Sequence, residues 1–322
     1  MRKRLFLIAF FLAVIGMAFE VNAQTIQEIK TVKAHDNGVT SIAFFPEGRL
    51  LISSGRDGTL KIWDIIEGKE IYRFNVKSNS FNSLAVSKNG RYVIVASEKT
   101  AKIIDLKTGQ EIKSLTGHVS SVSGVSISPN GKYALTSDYY DGKVRLFDVQ
   151  TGEELRSFSD HRAQFVALAF SPDERYILSG GFLRNNQYIK IWSIEKGEEI
   201  LSISLGPKDI YALSFSQDGR YALSAYEDGV IKVWDLKTGK ETVSLKVEEK
   251  DIFIISLAMS PDGTYIASGD DLGKITLWNP KTKKISYIIE HGEPINVIAI
   301  SPDGKYLVSG GDYKTIKMWK VR

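Results

Sequence analysis

One sequence pattern recurs seven times along this chain, and it limits the folds open to it. Each copy holds a turn of the Ser-Pro-Asp-Gly kind, an alternating run such as residues 221–224, a second turn, and β-branched residues that end at an aromatic position. The first turn position is occupied by Gly48, Gly90, Gly131, Glu174, Gly219, Gly263 and Gly304. The aromatic position is occupied by Trp63, Ile104, Phe147, Trp192, Trp234, Trp278 and Trp319. Period-2 alternation between such turns is typical of strands joined by hairpins.

The spacing of the copies predicts an all-β fold. A period of about 40 to 45 residues with Trp-Asp closures is typical of the four-stranded antiparallel blades of a β-propeller. The repeats fill nearly all of the 322 residues, and all-β proteins of this length often form one domain. We therefore predict one seven-bladed propeller over residues 24–322.

The two ends of the chain predict how the ring closes. The last copy ends at Arg322 and has no fourth strand. Residues 27–35 match residues 110–118, a fourth strand and its exit loop, almost position for position. We expect the N-terminal strand to complete the last blade, which would remove the free sheet edges of an open ring.

Residues 1–23 form a different kind of segment. A cationic start at residues 2–4 precedes an apolar stretch from Leu5 to Phe19, and Val21-Asn22-Ala23 fits a cleavage site. These features are typical of a secretory signal peptide, and the apolar stretch is shorter than the roughly 20 residues that a membrane span needs. We predict cleavage near Ala23 and a secreted or periplasmic protein without stable membrane insertion; an uncleaved anchor is the alternative.

The chain resembles the WD-repeat β-propeller family over residues 25–322, and the predicted signal peptide makes it a secreted single-domain member. In that family a blade is often held by a histidine before the first strand, a Ser or Thr on the second, an acid in the next turn, and the closing Trp. The first unit carries the whole set, which the resemblance implies is a structural tetrad: His35, Ser53, Asp57 and Trp63. Such bonds contribute on the order of 1 kcal/mol each.

Several units depart from the pattern. Ile104 and Phe147 replace the tryptophan and cannot donate an indole N–H, so we expect those blades to be held mainly by packing. Residues 180–187 run longer than their equivalents in unit one and predict an extended loop on one face. The turn after the aromatic has glycine in five units but Lys283 in the sixth, where we expect a different turn.

Residues suited to catalysis or metal binding recur at fixed repeat positions, which favours structural roles. The four histidines each precede the apolar start of a first strand: His35, His118, His161 and His291. Spread around a ring, they cannot meet at the roughly 2 Å ligand distance of one metal site. Second-strand serines likewise share one position: Ser53, Ser137, Ser179, Ser224, Ser268 and Ser309. We predict no catalytic residue, no metal and no cofactor. A net charge of +4, about +2 without residues 1–23, does not indicate a nucleic-acid partner.

Function is sought where the repeats differ. In propellers resembling this one, partners commonly bind the face formed by the loops before the first strand and between the second and third. Residues at those positions are small and polar in units one to three and larger and more apolar in units three to six. The candidate partner-binding residues are Arg56, Tyr140, Val166, Arg184, Tyr211, Glu227, Phe253 and Ile255. An apolar patch with a polar margin is typical of an interaction site; the alternative is that Phe253 and Ile255 pack under residues 246–251.

These observations favour a non-enzymatic scaffold that binds a protein or peptide on its loop face. Propellers also host enzymes, so a metal-dependent propeller hydrolase or lactonase is the alternative from another class. A carbohydrate or cell-surface binding module is a third. The sequence does not indicate an oligomeric state.

Overall fold

A computed structural model of the chain describes residues 26–76, 81–159, 164–183, 186–206, 208, 210–226, 228–247 and 252–321. For residues 81, 82, 164–166, 182, 183 and 186 it describes the backbone alone. The predicted signal peptide lies outside the described residues, as do His161, Arg184 and Glu227.

The described residues form seven four-stranded antiparallel sheets, one per blade. Blades 1 and 2 comprise β2 (Val39–Phe44), β3 (Leu50–Gly55), β4 (Thr59–Asp64), β5 (Lys69–Asn75), β6 (Phe81–Val86), β7 (Tyr92–Ser97), β8 (Thr100–Asp105) and β9 (Gln110–Leu115). Blades 3 and 4 comprise β10 (Val122–Ile127), β11 (Tyr133–Asp138), β12 (Lys143–Asp148), β13 (Glu154–Ser159), β14 (Gln164–Phe170), β15 (Tyr176–Leu183), β16 (Asn186–Ser193) and β17 (Glu199–Gly206). Blades 5 and 6 comprise β18 (Ile210–Phe215), β19 (Tyr221–Tyr226), β20 (Val230–Asp235), β21 (Lys240–Lys246), β22 (Ile254–Met259), β23 (Ile266–Asp270), β24 (Lys274–Asn279) and β25 (Lys284–Glu290).

Blade 7 joins the two ends of the chain. It comprises β26 (Ile295–Ile300), β27 (Tyr306–Gly311), β28 (Thr315–Val321) and, on its outer edge, β1 (Ile26–Lys33). β1 and β28 run antiparallel, from Ile26 opposite Val321 to Lys33 opposite Thr315. The inner strands contact one another in order, and β26 contacts β2, which closes the ring. The predicted seven-bladed propeller and its closing N-terminal strand are both confirmed.

The core lies between the facing sheets of neighbouring blades. Trp63 of blade 1 packs with Val308 and Ile316 of blade 7, and Trp278 of blade 6 packs with Ile231 of blade 5. The closing aromatic of one repeat therefore buries apolar surface of the preceding blade. No helix among the described residues is both long and apolar enough to cross a membrane.

The turns of the sixth and fourth units differ from expectation. Lys283 has a φ of 58°, in the same left-handed region as Gly68 at 66°, and its N–H donates to Asn279 O at 2.8 Å as that of Gly68 donates to Asp64 O. The expected difference in the sixth turn was therefore wrong. The expected loop over residues 180–187 was also wrong: β15 and β16 continue their ladder until Leu183 pairs with Asn186. The extra residues lengthen a hairpin.

Candidate functional site

In blade 1 four side chains form one chain of hydrogen bonds. The indole N–H of Trp63 donates to Ser53 Oγ at 2.9 Å, and Ser53 Oγ lies 2.8 Å from His35 Nε2. His35 Nδ1 lies 3.0 Å from Asp57 Oδ1. An ionised Asp57 carboxylate can only accept, so the proton of neutral His35 is assigned to Nδ1, which donates to Asp57, and the Ser53 hydroxyl donates to Nε2. These hydrogen bonds join the loop before β2 to β3, to β4 and to the turn between them.

The protonation of this network follows from its surroundings. Burial lowers the pKa of His35 below its usual range, although the Asp57 charge acts in the opposite direction. Burial alone would raise the pKa of Asp57, but hydrogen bonds from the Asp36 N–H and from Thr59 outweigh it and lower that pKa to about 2. A neutral histidine beside an ionised aspartate fits a structural lock.

The other blades keep parts of this network. The indole N–H donates to the second-strand serine in four further pairs, Trp192–Ser179 at 2.8 Å, Trp234–Ser224 and Trp278–Ser268 at 2.9 Å, and Trp319–Ser309 at 3.3 Å. In blade 3 the partner of His118 Nε2 is Thr136 Oγ1, at 2.7 Å. Placing Ser137 at the shared position was therefore wrong by one residue; its hydroxyl lies 3.1 Å from Ser123 Oγ.

Blade 7 has its acid on a different element. Both ring nitrogens of His291 lack a hydrogen-bond partner among the described residues, and Glu293 Oε1 lies 3.9 Å from Nδ1. The Glu293 carboxylate also accepts the N–H of Tyr313 in the β27–β28 turn. Glu293, from the loop before β26, thus supplies the carboxylate near the histidine that Asp57 supplies from the β3–β4 turn in blade 1.

A β-bulge recurs near the start of every inner strand. In blade 1 the register shifts between Val39 and Ser41 and leaves Thr40 unpaired with β3. The equivalent unpaired residues are Asn82 and Ser83, Ser123, Val166, Tyr211, Ile255 and Asn296. A bulge redirects a side chain, so these residues form a ring at the face made by the loops before the inner strands and the turns between second and third strands. We call this the loop face.

Two polar members of the bulge ring, Thr40 and Asn296, bind the protein itself. Thr40 Oγ1 lies 2.9 Å from Ser54 Oγ. Asn296 Nδ2 donates to Val39 O at 3.0 Å and to Asp312 Oδ1 at 2.8 Å. These two side chains join neighbouring strands and blades.

Tyr211 of blade 5 and Phe253 of blade 6 contact each other across the blade junction. Their ring centroids are 4.8 Å apart at an interplanar angle of 55°, and the two residues remain 46% and 37% exposed. Asp271 fixes Phe253 by accepting its N–H at 3.0 Å and by donating its own N–H to Phe253 O at 3.1 Å. The ion pair between Lys208 and Asp228 lies on the same face of blade 5. An ordered aromatic pair thus stays open to solvent.

The remaining candidates do not all join this pair. Tyr140 is 79% exposed on the β11–β12 turn of blade 3, which blade 4 separates from blade 5. Arg56 Nη1 donates to Asp312 Oδ1 at 3.0 Å, at the junction of blades 1 and 7. Ile255 is the half-buried bulge residue of blade 6, while for Val166 only the backbone is described. Arg184 and Glu227 lie outside the described residues.

The inner strands surround a cavity of about 380 Å³ lined mainly by small and apolar residues, among them Ser41, Ser126, Leu168 and Ser214. Within the described ranges, no three His, Cys, Asp or Glu side chains are grouped so that they could hold one metal ion. The metal-dependent alternative thus finds no ligand set in this part of the chain.

The fold and these contacts define a seven-bladed propeller with indole-to-serine blade locks. A family model described as the IFT122 first beta-propeller matches residues 80–322, and one described as the WD domain, G-beta repeat matches residues 26–64. The chain belongs to the WD-repeat propeller family.

Individual relatives match over one part of the chain. The p21-activated protein kinase-interacting protein 1-like of Danio rerio is 37% identical over 71 residues, 22% of this chain and 19% of that protein. The small ribosomal subunit protein RACK1 of Medicago sativa is 33% identical over 70 residues, 22% of this chain and 21% of that protein. The chain spans about a fifth of the length of the curated relatives it matches.

Proposed function

We propose that this chain is a non-enzymatic scaffold that binds a protein or peptide on its loop face, with Tyr211 and Phe253 as the anchor. The observation that carries the proposal is their exposed aromatic contact across blades 5 and 6. Exposed, ordered aromatic residues supply large contact areas at low entropic cost and are frequent binding hot spots. The name of one relative, a protein kinase-interacting protein, describes binding to another protein.

The position of the pair supports this role. Tyr211 is a bulge residue, and the backbone of Phe253 is bonded twice to Asp271, so neither ring depends on a long free loop for its placement. Ile255 extends the apolar surface along the bulge of blade 6. A partner side chain with an apolar or flat group would cover the two rings, while Lys208, Asp228 and Asp271 form a polar margin.

The test is a crosslinking pull-down with the wild-type chain and a Tyr211→Ala, Phe253→Ala, Ile255→Ala variant as baits. Mass spectrometry identifies the partners that the wild type retains, and we expect the variant to lose them at least tenfold. Tyr72→Ala is the matched control, because Tyr72 is an exposed aromatic on the outer strand of blade 1. Equal recovery of every partner by the triple variant would remove this face from consideration.

We also propose that the protein acts after export, secreted or in a periplasm. The charged start, the apolar stretch and the cleavage pattern of residues 1–23 support this. N-terminal sequencing of the mature chain should begin at or near Gln24. An intact Met1 on the exported protein would favour an anchor, and protein confined to the cytoplasm would overturn the proposal.

A further inference from the structure

The outer strand of blade 6 has an unusual edge. β25 runs from Lys284 to Glu290 with the sequence Lys-Ile-Ser-Tyr-Ile-Ile-Glu. Three of its apolar side chains are exposed, Ile285 at 43%, Tyr287 at 41% and Ile288 at 49%. No charged residue stands between the two ends of the strand. The outward side of β25 thus combines open backbone groups with exposed apolar surface.

The other outer strands carry the usual protections against pairing. Charges inside an edge strand discourage it from adding another strand. β5 has Arg73, β9 has Lys113 and β13 has Arg156 within the strand. β17 also lacks an internal charge, but Ile200 is its one exposed large apolar side chain, and Ser202 and Ser204 occupy the other exposed positions inside the strand. Only β25, among the described outer strands, combines an uncharged interior with three exposed large apolar side chains.

The sequence of β25 is complementary to itself when reversed. Two copies placed antiparallel about Tyr287 bring Lys284 opposite Glu290 at both ends and Ile285 opposite Ile289. Neither Lys284 nor Glu290 has an ion-pair partner among the described residues, and both are exposed. Cross-strand pairs of opposite charge and of apolar side chains stabilise antiparallel ladders.

We propose that β25 pairs with β25 of a second copy of this chain, forming an eight-stranded sheet across a two-fold axis at Tyr287. Because both copies use the same surface under such an axis, the assembly ends at a dimer. The register of β24 and β25 shifts between Leu277 and Trp278, which bends the Lys284 end of the strand. The flexible four-carbon lysine side chain spans that bend to reach Glu290 of the other copy. This contact lies on the outer strand of blade 6 and does not involve Tyr211 and Phe253 on the loop face.

The association is expected to be reversible. One strand from each copy covers less than the roughly 1,200 Å² of a standard interface, so the dimer should form with rising concentration. Sedimentation velocity of the purified chain over a hundredfold concentration range should show a monomer–dimer equilibrium. A chain that stays monomeric at every concentration overturns the proposal.

Charge reversal tests the register. Lys284→Glu and Glu290→Lys each turn both end pairs repulsive, so each should weaken dimerisation by about tenfold. The double variant restores opposite charges at both ends and should return the dissociation constant to within about twofold of wild type. Lys240→Glu, on the outer strand of blade 5, is the matched control and should change nothing. A double variant no better than the single ones would overturn the antiparallel pairing about Tyr287.

A crosslink tests the axis directly. The chain contains no cysteine, so Tyr287→Cys introduces a single thiol. Residues facing each other in an antiparallel pair are about 4.5 to 5.5 Å apart at Cα, within disulfide range. Mild oxidation should give a covalent dimer with Tyr287→Cys and a monomer with Tyr72→Cys, in which the replaced residue is an exposed tyrosine on β5. Equal crosslinking of both variants would show random collision and contradict the proposed axis.

Discussion

The imidazole of His35 lies so close to Gly55 that a β-carbon at residue 55 would be 2.5 Å from two of its ring atoms. Blade 5 reverses this arrangement. Tyr226 pairs with Ile210 as Gly55 pairs with Val39, and Gly206 stands four residues before Ile210, where blade 1 has its histidine. The Tyr226 hydroxyl donates to Leu205 O at 3.1 Å. Blade 5 thus has its ring on the second strand, where blade 1 has Gly55, and a glycine at the position of the blade 1 histidine.

Gly55→Ala should therefore destabilise the protein through His35. The added methyl group requires the imidazole to move, and overpacking of this kind costs about 1 to 3 kcal/mol. Equilibrium urea unfolding of the variant measures the loss. In a His35→Gly background the same change should cost less than about 0.5 kcal/mol, because that variant also removes the His35 β-carbon, which would lie 2.9 Å from the new methyl group. Equal losses in both backgrounds would show that the backbone at Gly55, and not the ring, is responsible.

Ser53→Ala should cost more than Ser309→Ala. Ser53 bonds both His35 and Trp63, at 2.8 and 2.9 Å, and its removal leaves two buried groups unpaired, about 2 to 3 kcal/mol in all. Ser309 accepts one bond, from Trp319 at 3.3 Å, and its loss should cost about 1 kcal/mol or less. Chemical denaturation of the two variants makes the comparison, and a larger loss for Ser309→Ala would contradict it.

The fold was accessible from sequence because its signals repeat. A period of two within the strands, turns at matching positions and the likeness of residues 27–35 to 110–118 specify strands, blades and ring closure, and the structure confirms these three. The bulges had no such signal, since the extra residue can be of any type, as Thr40 and Tyr211 show. The sequence placed Tyr211 and Phe253 on one face, but their contact depends on a register shift that only the structure reveals.

The sequence-based assignment of Ser137 to the position that Thr136 occupies was wrong for a similar reason. The β11–β12 turn of blade 3 is one residue longer than the β3–β4 turn of blade 1. Counting along the sequence therefore cannot decide between two adjacent hydroxyl residues. Pairing decides it, because Thr136 lies opposite Arg145 as Ser53 lies opposite Lys61.

Gln217→Pro should stabilise the junction of blades 5 and 6. At several other junctions the glycine of one inner turn faces the proline of the preceding blade. A β-carbon on Gly48 would lie 3.5 Å from Pro302 Cδ, and one on Gly304 would lie 3.6 Å from Pro261 Cδ. Blade 5 has Gln217 at the proline position, and a β-carbon on Gly263 would have no neighbour within 4 Å. A groove of about 400 Å³ opens there, lined in part by Tyr221 and Met259.

The proline should fill part of this groove and restrict the unfolded chain, for a gain of about 0.4 to 1 kcal/mol. The same turn accepts proline in blades 6 and 7, so no backbone strain is expected. Thermal unfolding of Gln217→Pro measures the gain, and Gln217→Ala controls for loss of the glutamine. If the midpoint temperature of unfolding is lower for the proline variant than for the alanine variant, the inference that proline fits this turn in blade 5 is wrong.

Stability should fall as pH drops from about 6.5 towards 4, in part because of His291. Burial, with a smaller contribution from the Lys317 charge, lowers the pKa of His291 to about 4. The unfolded chain, with an ordinary histidine pKa near 6.5, then binds more protons than the folded chain between these values. The contribution of His291 is complete above pH 6.5 and is lost as pH falls, by up to about 1.4 kcal/mol per pH unit.

Two neighbouring variants should change this dependence in opposite directions. His291→Gln removes the titrating group and should flatten the fall in unfolding free energy between pH 6.5 and 4. Burial raises the pKa of Glu293, so the folded chain takes up that proton first and gains stability as pH falls. Glu293→Gln removes this gain and should steepen the fall. Urea unfolding at intervals of half a pH unit measures the unfolding free energy of both variants as a function of pH. The same pH dependence in both variants would show that neither group titrates as its burial requires.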